Sequence, residues 1–242
     1  MKRLLYGIVC WGTLVACQRE PGYKISGSVP GTPDGMKVDL YNWNTPVDSS
    51  VVKGGKFVLT GKVDVPTRYQ LLIDLSPDKV ESYEKDLRGS DVFVENVDIK
   101  YESPSIDSLP SRNSFLRNVK GNVIVTGSPV HDLFLSYQEK IKPYRTKNSE
   151  AWNKYLKVYH IPALDGVFNT REGIALAREM NDAQKEITRI QWDFIKANPK
   201  SPVSVDVAQN MVYSAKFSKA EMEKIKMQSD IEYIAMMAGV EL

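Results

Sequence analysis

The residues whose chemistry stands out first are two cysteines, Cys10 and Cys17, the only thiols among the 242 residues. Thiolates act as nucleophiles, as redox pairs and as zinc ligands. A redox pair needs a second thiol at CxxC spacing, a cysteine zinc site needs several thiols, and this sequence offers neither. The sequence therefore predicts no thiol redox centre and no cysteine-based metal site, so Cys17 requires another explanation.

Cys17 follows a segment with the three parts of an export signal. A basic start precedes an apolar run over residues 4–16, which is too short for a membrane span because a spanning helix needs about 20 residues. The run ends in Leu-Val-Ala-Cys, which resembles the lipobox of bacterial lipoproteins. Residues 1–16 are therefore predicted to be a lipoprotein signal peptide, with Cys17 acylated as the new N-terminus. The alternative is an ordinary signal peptide that happens to end near a cysteine.

The residue after Cys17 bears on location. Gln18, rather than an aspartate, favours passage to the outer membrane under the usual bacterial sorting preference. We therefore expect a cell-envelope lipoprotein of the outer membrane, and the choice between a periplasmic and a surface-facing position stays open.

The charge of the mature chain excludes one class of partner. Removal of Lys2 and Arg3 with the signal peptide lowers the formal charge from +2 to 0 over residues 17–242. Because nucleic-acid binding depends on clustered positive charge, a neutral chain gives no electrostatic basis for it. We expect a membrane partner through the lipid and no nucleic acid.

Catalytic and metal-binding patterns are missing from the rest of the sequence. His131 and His160 do not have a metal-binding spacing such as HExxH. His131 falls beside the apolar stripe of its helix and is expected to be solvated, while His160 is expected near a helix end. No GxSxG and no Walker lysine occur. We therefore expect no catalytic residue, no metal and no cofactor.

Two aromatic residues offer a binding surface instead. Tyr41 and Trp43 alternate with Val38 and Leu40, which places them on the opposite face of their strand. If that face is solvated, Tyr41 and Trp43 form an exposed platform for a sugar or a protein partner. If the helical half packs on that face, Tyr41 and Trp43 belong to the core. The sequence favours neither alternative.

The elements that carry these residues change character near Gly127. Residues 23–126 alternate with a period of two and are rich in Val, Ile, Tyr, Gly and Pro, which predicts short strands in an antiparallel β-sandwich over residues 17–127. Val38 and Leu40, like Phe57 and Leu59, are predicted to point inward.

After Gly127 the apolar period becomes helical. Ser128 is an N-cap candidate and Pro129 suits the first helical turn. Further helices are predicted from Ser149, from about Thr170 to Asn198, from Ser201, and from a capping box at Ser218. Residues 128–242 are thus predicted to be all-helical, and the fold class is α+β. In the Ser149 helix, Trp152, Tyr155 and Tyr159 form a stripe that is expected to pack on other helices.

A known family shares several of these motifs. Gly27, Asp48-Ser49, Gly55-Lys56-Phe57, Gly61 and Pro66, followed by VFVENVDIKY and VTGSPVHDLFLSYQ, resemble the β module of unknown function that begins many lipoproteins of Gram-negative gut anaerobes. In that family a helical linker leads to a thioredoxin-like domain with a CxxC, similar to the TlpA and ResA reductases. The present sequence ends at Leu242, about where such a domain would begin, so no catalytic residue is transferred.

These observations predict a lipid-anchored binding or scaffolding protein without catalytic activity. One alternative is an accessory or remnant of a thioredoxin-like thiol-disulfide system that acts in trans. Another is a glycan-binding lipoprotein that uses Tyr41 and Trp43.

Overall fold

The structure of the chain is a computed structural model that describes residues 22–76, 85–112 and 122–214. The predicted signal peptide, Cys17, and the predicted helix at Ser218 lie outside these residues. Within the described residues, no helix has both the length and the apolar character needed to cross a membrane.

Eight strands make up the first half of the described chain. They are β1 (Tyr23–Ser28), β2 (Lys37–Asn42), β3 (Thr45–Val51), β4 (Lys56–Gly61), β5 (Thr67–Asp74), β6 (Leu87–Val94), β7 (Asp98–Glu102) and β8 (Ile124–Thr126). A short 3₁₀ turn, Ile106–Ser108, lies between β7 and β8.

The strands form two four-stranded sheets. Sheet A has the order β4-β1-β7-β8 and sheet B the order β3-β2-β5-β6. Neighbours are antiparallel except for β1 and β7, which run parallel with Lys24 opposite Asp98. The parallel pair was not predicted, because alternation assigns residues to faces without specifying which distant strand is the partner.

The sandwich core lies between the two sheets. Val38, Leu40, Phe57 and Leu59 are buried in it, which confirms the predicted inward face of β2 and β4. Gly27 of β1 has no side chain because the ring of Phe57 occupies the space where a Cβ would stand. The other large and fully buried side chains of this core are Ile25, Val29, Leu71, Ile73, Ile99 and Tyr101.

The second half of the described chain is helical, so the predicted α+β class is confirmed. Its helices are α1 (Pro129–Tyr155), α2 (Ile161–Leu164), α3 (Thr170–Ala197) and α4 (Pro202–Ser214), with a π-helical turn, Leu156–His160, after α1. Ser128 caps α1 by accepting a hydrogen bond from the backbone N–H of His131 at 3.1 Å, as predicted.

The predicted helix start at Ser149 is wrong, because α1 runs through both Pro143 and Ser149. An interior proline removes one helical hydrogen bond and its ring crowds the carbonyl four residues earlier, but α1 is supported along its length by α3. Tyr137 contacts Phe194 near the base, and the Asn148 side chain donates to the Met180 carbonyl at 3.0 Å further along. We call α1, α3 and the connecting residues 156–169 the arm.

A second core joins the arm to the sandwich. Phe93 of β6 points away from the sandwich core and packs on Phe134 of α1, with ring centroids 5.2 Å apart. The other buried residues of this cluster are Tyr137, Ile141, Phe194, Ile195, Val203, Val207 and Ala208. We call this contact region the junction. It lies at the base of the arm and positions the arm relative to the sheets.

Candidate functional site

Tyr41 is half-buried on the outer face of sheet B. Its hydroxyl donates to Asp39 Oδ2 at 3.3 Å, and the guanidinium of Arg112 lies over its ring, 5.7 Å from the centroid. Burial, together with the nearby charge of Asp39, raises the pKa of Tyr41. Arg112 therefore already occupies one face of the ring that a ligand would stack on.

Trp43 lies in the turn between β2 and β3 and not on a strand. Its φ of 56° is in the left-handed region, and its side chain is 64% exposed. The premise that Tyr41 and Trp43 share a strand face is therefore wrong, because the chain already turns at Trp43. Arg112 also donates from Nη2 to Asn44 Oδ1 at 2.9 Å, beside Trp43. A role for these aromatics in binding stays a prediction.

Asp39 is a buried carboxylate that the sequence did not single out. It is 3% exposed, accepts from Ser49 Oγ at 2.6 Å and pairs with Lys37 Nζ at 3.0 Å, in addition to its bond with Tyr41. Buried charges are tolerated when they are paired and hydrogen-bonded. Asp39 therefore has the partners of a structural acceptor that ties β2 to β3.

An ion pair crosses the junction. Arg68 of β5 donates from Nε to Asp206 Oδ1 of α4 at 2.9 Å and from Nη1 to Asp91 Oδ2 of β6 at 3.0 Å. Burial raises the pKa of Asp206, and its attraction to Arg68 only partly offsets this. Arg68 therefore holds two carboxylates from different parts of the fold together.

His131 is buried in the junction, so the predicted solvated position is wrong. Its Nδ1 accepts the backbone N–H of Phe93 at 3.2 Å, and its ring packs on Phe134. Burial lowers its pKa, while Asp132 and Asp91 act in the opposite direction. The arm base covers a face of β6 that helical periodicity alone could not locate. Within the described ranges, no group of His, Cys, Asp and Glu is arranged to hold a metal ion.

Four exposed apolar residues lie close together in the sequence at the far end of the arm. Ile161, Leu164, Val167 and Phe168, which we call the arm tip, are 53%, 75%, 53% and 65% exposed. Single exposed apolar residues are common, but a contiguous group usually marks a contact site. These residues were not predicted as a site, because they lie in a short connection without helical or strand periodicity.

An aromatic row lies immediately behind the arm tip. Trp152 and Tyr155 stack with centroids 5.8 Å apart, and Tyr155 contacts Tyr159 at 5.3 Å. Trp152 is 47% exposed and the tyrosines are half-buried, so the stripe expected to pack on helices is only partly covered. Gly173 of α3 lets Tyr159 approach the helix closely. A cavity of about 140 Å³ here is lined by Tyr155, Tyr159, Thr170, Gly173, Ile174 and Ala177.

Basic side chains surround the arm tip. Residues 151–178 hold four basic residues, Lys154, Lys157, Arg171 and Arg178, against two acidic ones, Asp165 and Glu172. Their formal charge is therefore +4 − 2 = +2. Glu150 and Glu179 lie immediately outside this range, so the excess of positive charge is confined to the residues nearest the arm tip.

Comparison with known proteins identifies one region. Residues 23–134 match the family model described as a domain of unknown function (DUF4369), which confirms that the chain carries an N-terminal module of unknown function. The match continues past Gly127 to Phe134, and so includes the α1 residues that pack on Phe93. No protein of curated function matches the chain, and no solved structure matches it.

Proposed function

Starting from a chain that carries this domain of unknown function, we propose that the protein is a lipid-anchored component of the cell envelope that acts by binding and scaffolding and not by catalysis. The observation that carries the proposal is the arm tip, a group of exposed apolar side chains at the end of an arm that is packed at its base on the sandwich. In this proposal the sandwich supports the arm, and the arm presents the contact surface.

The polar groups of the junction and of sheet B support a binding role. Asp39, Asp206 and His131 could serve acid–base chemistry by residue type, but each has protein partners within hydrogen-bond distance that tie two elements together. General acid–base catalysis needs a group that reaches a substrate proton. These side chains are instead engaged in holding the fold.

The position of the N-terminus supports an anchor near the arm. Lys24 of β1 lies opposite Asp98 at the start of β7, and Gly127 packs against the Asp98 carbonyl just before α1 begins. The start of β1 and the base of the arm therefore occupy the same end of the sandwich. Cys17 precedes Tyr23 by six residues, which span at most about 20 Å. A lipid on Cys17 would hold this end close to the membrane.

The anchor is tested by expression of the full chain with its own leader in a Gram-negative host. Wild type is expected in the membrane fraction, because several acyl chains exceed the two signals that stable anchoring needs. Cys17→Ser is expected to accumulate as an unprocessed or soluble protein, while Cys10→Ser, the matched control, should behave as wild type. Equal membrane association of Cys17→Ser and wild type would contradict the proposal.

A glycan-binding role is a second candidate because Trp43 is exposed beside Asn44 and Arg112. Aromatic rings of this kind stack on sugars. The test is a glycan array probed with the chain from Gln18 to Leu242 and with Trp43→Ala. Glycan signals that wild type gives and Trp43→Ala loses would favour this candidate over a role for the arm.

A third candidate is an accessory of a thiol-disulfide system, which the resemblance to lipoproteins with thioredoxin-like domains suggests. Such an accessory would change the rate of a separate thioredoxin-like enzyme without contributing a sulfur. A reductase needs two thiols, so the chain from Gln18, which contains none, is expected not to reduce insulin. Turnover by this chain alone would contradict the non-catalytic proposal.

A further inference from the structure

We propose that the arm tip is a membrane-contact site, which inserts Leu164, Val167 and Phe168 into the boundary between headgroups and acyl chains of a bilayer that contains anionic lipid. This inference does not depend on the lipid at Cys17, because the contact is formed by residues of the folded arm. It adds a second attachment point to the one expected at the N-terminus.

The shape of the arm tip fits a lipid surface. Leu164 and Phe168, the two most exposed residues of the arm tip, are 75% and 65% exposed at the end of a helical pair. At about 1.5 Å per residue, the 28 residues of α3 span roughly 40 Å, so the arm tip lies far from the junction. An exposed apolar end of this kind can enter a soft interface without a preformed pocket on the other side.

The order of side chains along the arm fits the layers of a bilayer. Aliphatic and phenyl groups are outermost, and the Trp152, Tyr155 and Tyr159 row comes next toward the sandwich. Tryptophan and tyrosine are enriched at membrane–water interfaces, because their rings are apolar and their N–H or O–H groups need water or headgroups. The apolar arm tip would therefore lie deepest in the membrane, and the aromatic row would lie at the level of the headgroups.

The basic residues around the arm tip favour a membrane that contains anionic lipid. Lys154, Lys157 and Arg171 are exposed next to the arm tip, and the formal charge of residues 151–178 is +2, with Glu150 and Glu179 just outside this range. Basic residues next to an apolar face bind anionic lipid headgroups. Asp165, beside Leu164, limits the contact to a shallow one of about 5–10 Å, where a carboxylate stays hydrated.

The path of the chain allows both attachments at once. The start of β1 and the base of the arm share one end of the sandwich. Both attachments form at once when the arm lies along the membrane, because the few residues between Cys17 and Gly22 cannot span the length of α3. Two attachment points would fix the orientation of the sandwich above the bilayer.

The depth of the arm tip tests the proposal directly. The chain from Gln18 to Leu242 has no cysteine, so Val167→Cys can be labelled with the environment-sensitive dye NBD at a single position. The matched control is Val58→Cys on β4, a valine of similar exposure on the sandwich. On vesicles of phosphatidylcholine and phosphatidylglycerol, we expect a blue shift and quenching by nitroxide lipids at position 167 only.

A second pair of variants measures the contribution of the apolar side chains. Leu164→Asn with Phe168→Asn should lower binding to the same vesicles by about tenfold or more. Val47→Asn with Val51→Asn removes two comparably exposed residues of β3 and should bind as wild type. Both double variants are expected to melt at a temperature similar to that of wild type, because none of these side chains is buried.

Several results would overturn the proposal. Failure of the unlipidated chain to bind the vesicles would contradict it, and so would equal quenching at positions 167 and 58. Shielding of the label at position 167 without vesicles would identify another occupant: a second copy of the chain if shielding rises with protein concentration, or the segment 215–242 if it does not. Binding only to neutral vesicles would contradict the role assigned to the basic residues.

Discussion

Arg68 of β5 and Asp206 of α4 form an ion pair, with Nε and Oδ1 2.9 Å apart, between residues 138 positions apart in the sequence. The same guanidinium binds Asp91 of β6 at 3.0 Å. Together with the packing of Phe93 on Phe134, this pair makes the end of sheet B and the base of the arm one structural unit. The proposed scaffold depends on this unit, because a loosely joined arm would not hold its tip in a defined place.

Removal of the Arg68 side chain should weaken the junction. Arg68→Met leaves Asp206 and Asp91 close together without their cation, and we expect a loss of about 1–3 kcal/mol in the free energy of unfolding, less than for a fully buried pair since the groups are partly exposed. Arg189→Met, which breaks ion pairs on the exposed surface of α3, is the control and should change little. Urea unfolding measures the loss of stability in both variants. Equal losses would show that the junction ion pair contributes no more than an ion pair on the exposed surface.

The sandwich is expected to fold without the arm. Its core cluster contains residues of the strands and their connections, and Phe93 is the sandwich residue that belongs to the other cluster. A fragment of residues 18–127 should therefore give a β-type circular dichroism spectrum and melt cooperatively. A molten or insoluble fragment would mean that the two halves need a shared core.

Substitution of Phe93 tests whether the sandwich and the arm have separate cores. In the full chain, Phe93→Thr removes a side chain that is 1% exposed and should cost about 3 kcal/mol or more. In the 18–127 fragment the same side chain has lost its helical partners, so the substitution should cost little and improve solubility. Equal losses in fragment and full chain would place Phe93 in the sandwich core instead.

His131 should make the stability of the protein depend on pH. Burial lowers its pKa in the folded state, so the unfolded chain takes up the proton first as the pH falls. Its contribution is complete above the unfolded pKa of about 6.5 and is lost as the pH falls below that value.

The measurement is the melting temperature at pH 7.5 and 5.5. His131→Asn keeps an acceptor for the Phe93 N–H without a titrating ring, and its melting temperature should fall less than that of wild type, by at most a few degrees for each pH unit. His160→Asn alters an exposed histidine and should follow wild type. If wild type and His131→Asn show the same pH dependence, His131 is not the titrating group.

Local patterns predicted much of the fold and little of the candidate site. Alternation placed Val38 and Leu40 inside the sandwich, and Ser128 followed by Pro129 marked the start of α1, because these signals come from neighbouring residues. His131 was misplaced, because its burial depends on Phe93, 38 residues earlier. Trp43 was misplaced because a two-residue turn ends β2 one residue before it.

The arm tip could not be predicted for a different reason. Ile161, Leu164, Val167 and Phe168 lie in a connection where spacing gives no periodic signal, and their importance comes from exposure at the end of two long helices. The continuity of α1 through Ser149, which the sequence analysis missed, is what carries this connection away from the sandwich.

The mass of the N-terminal peptide of the membrane-purified protein shows whether Cys17 carries the anchor. For an anchored scaffold we expect this peptide to begin at Cys17, because the residues before it are removed, and to carry several acyl chains. An unmodified N-terminus at any other residue, with the protein still found in the membrane fraction, would contradict a lipid anchor at Cys17.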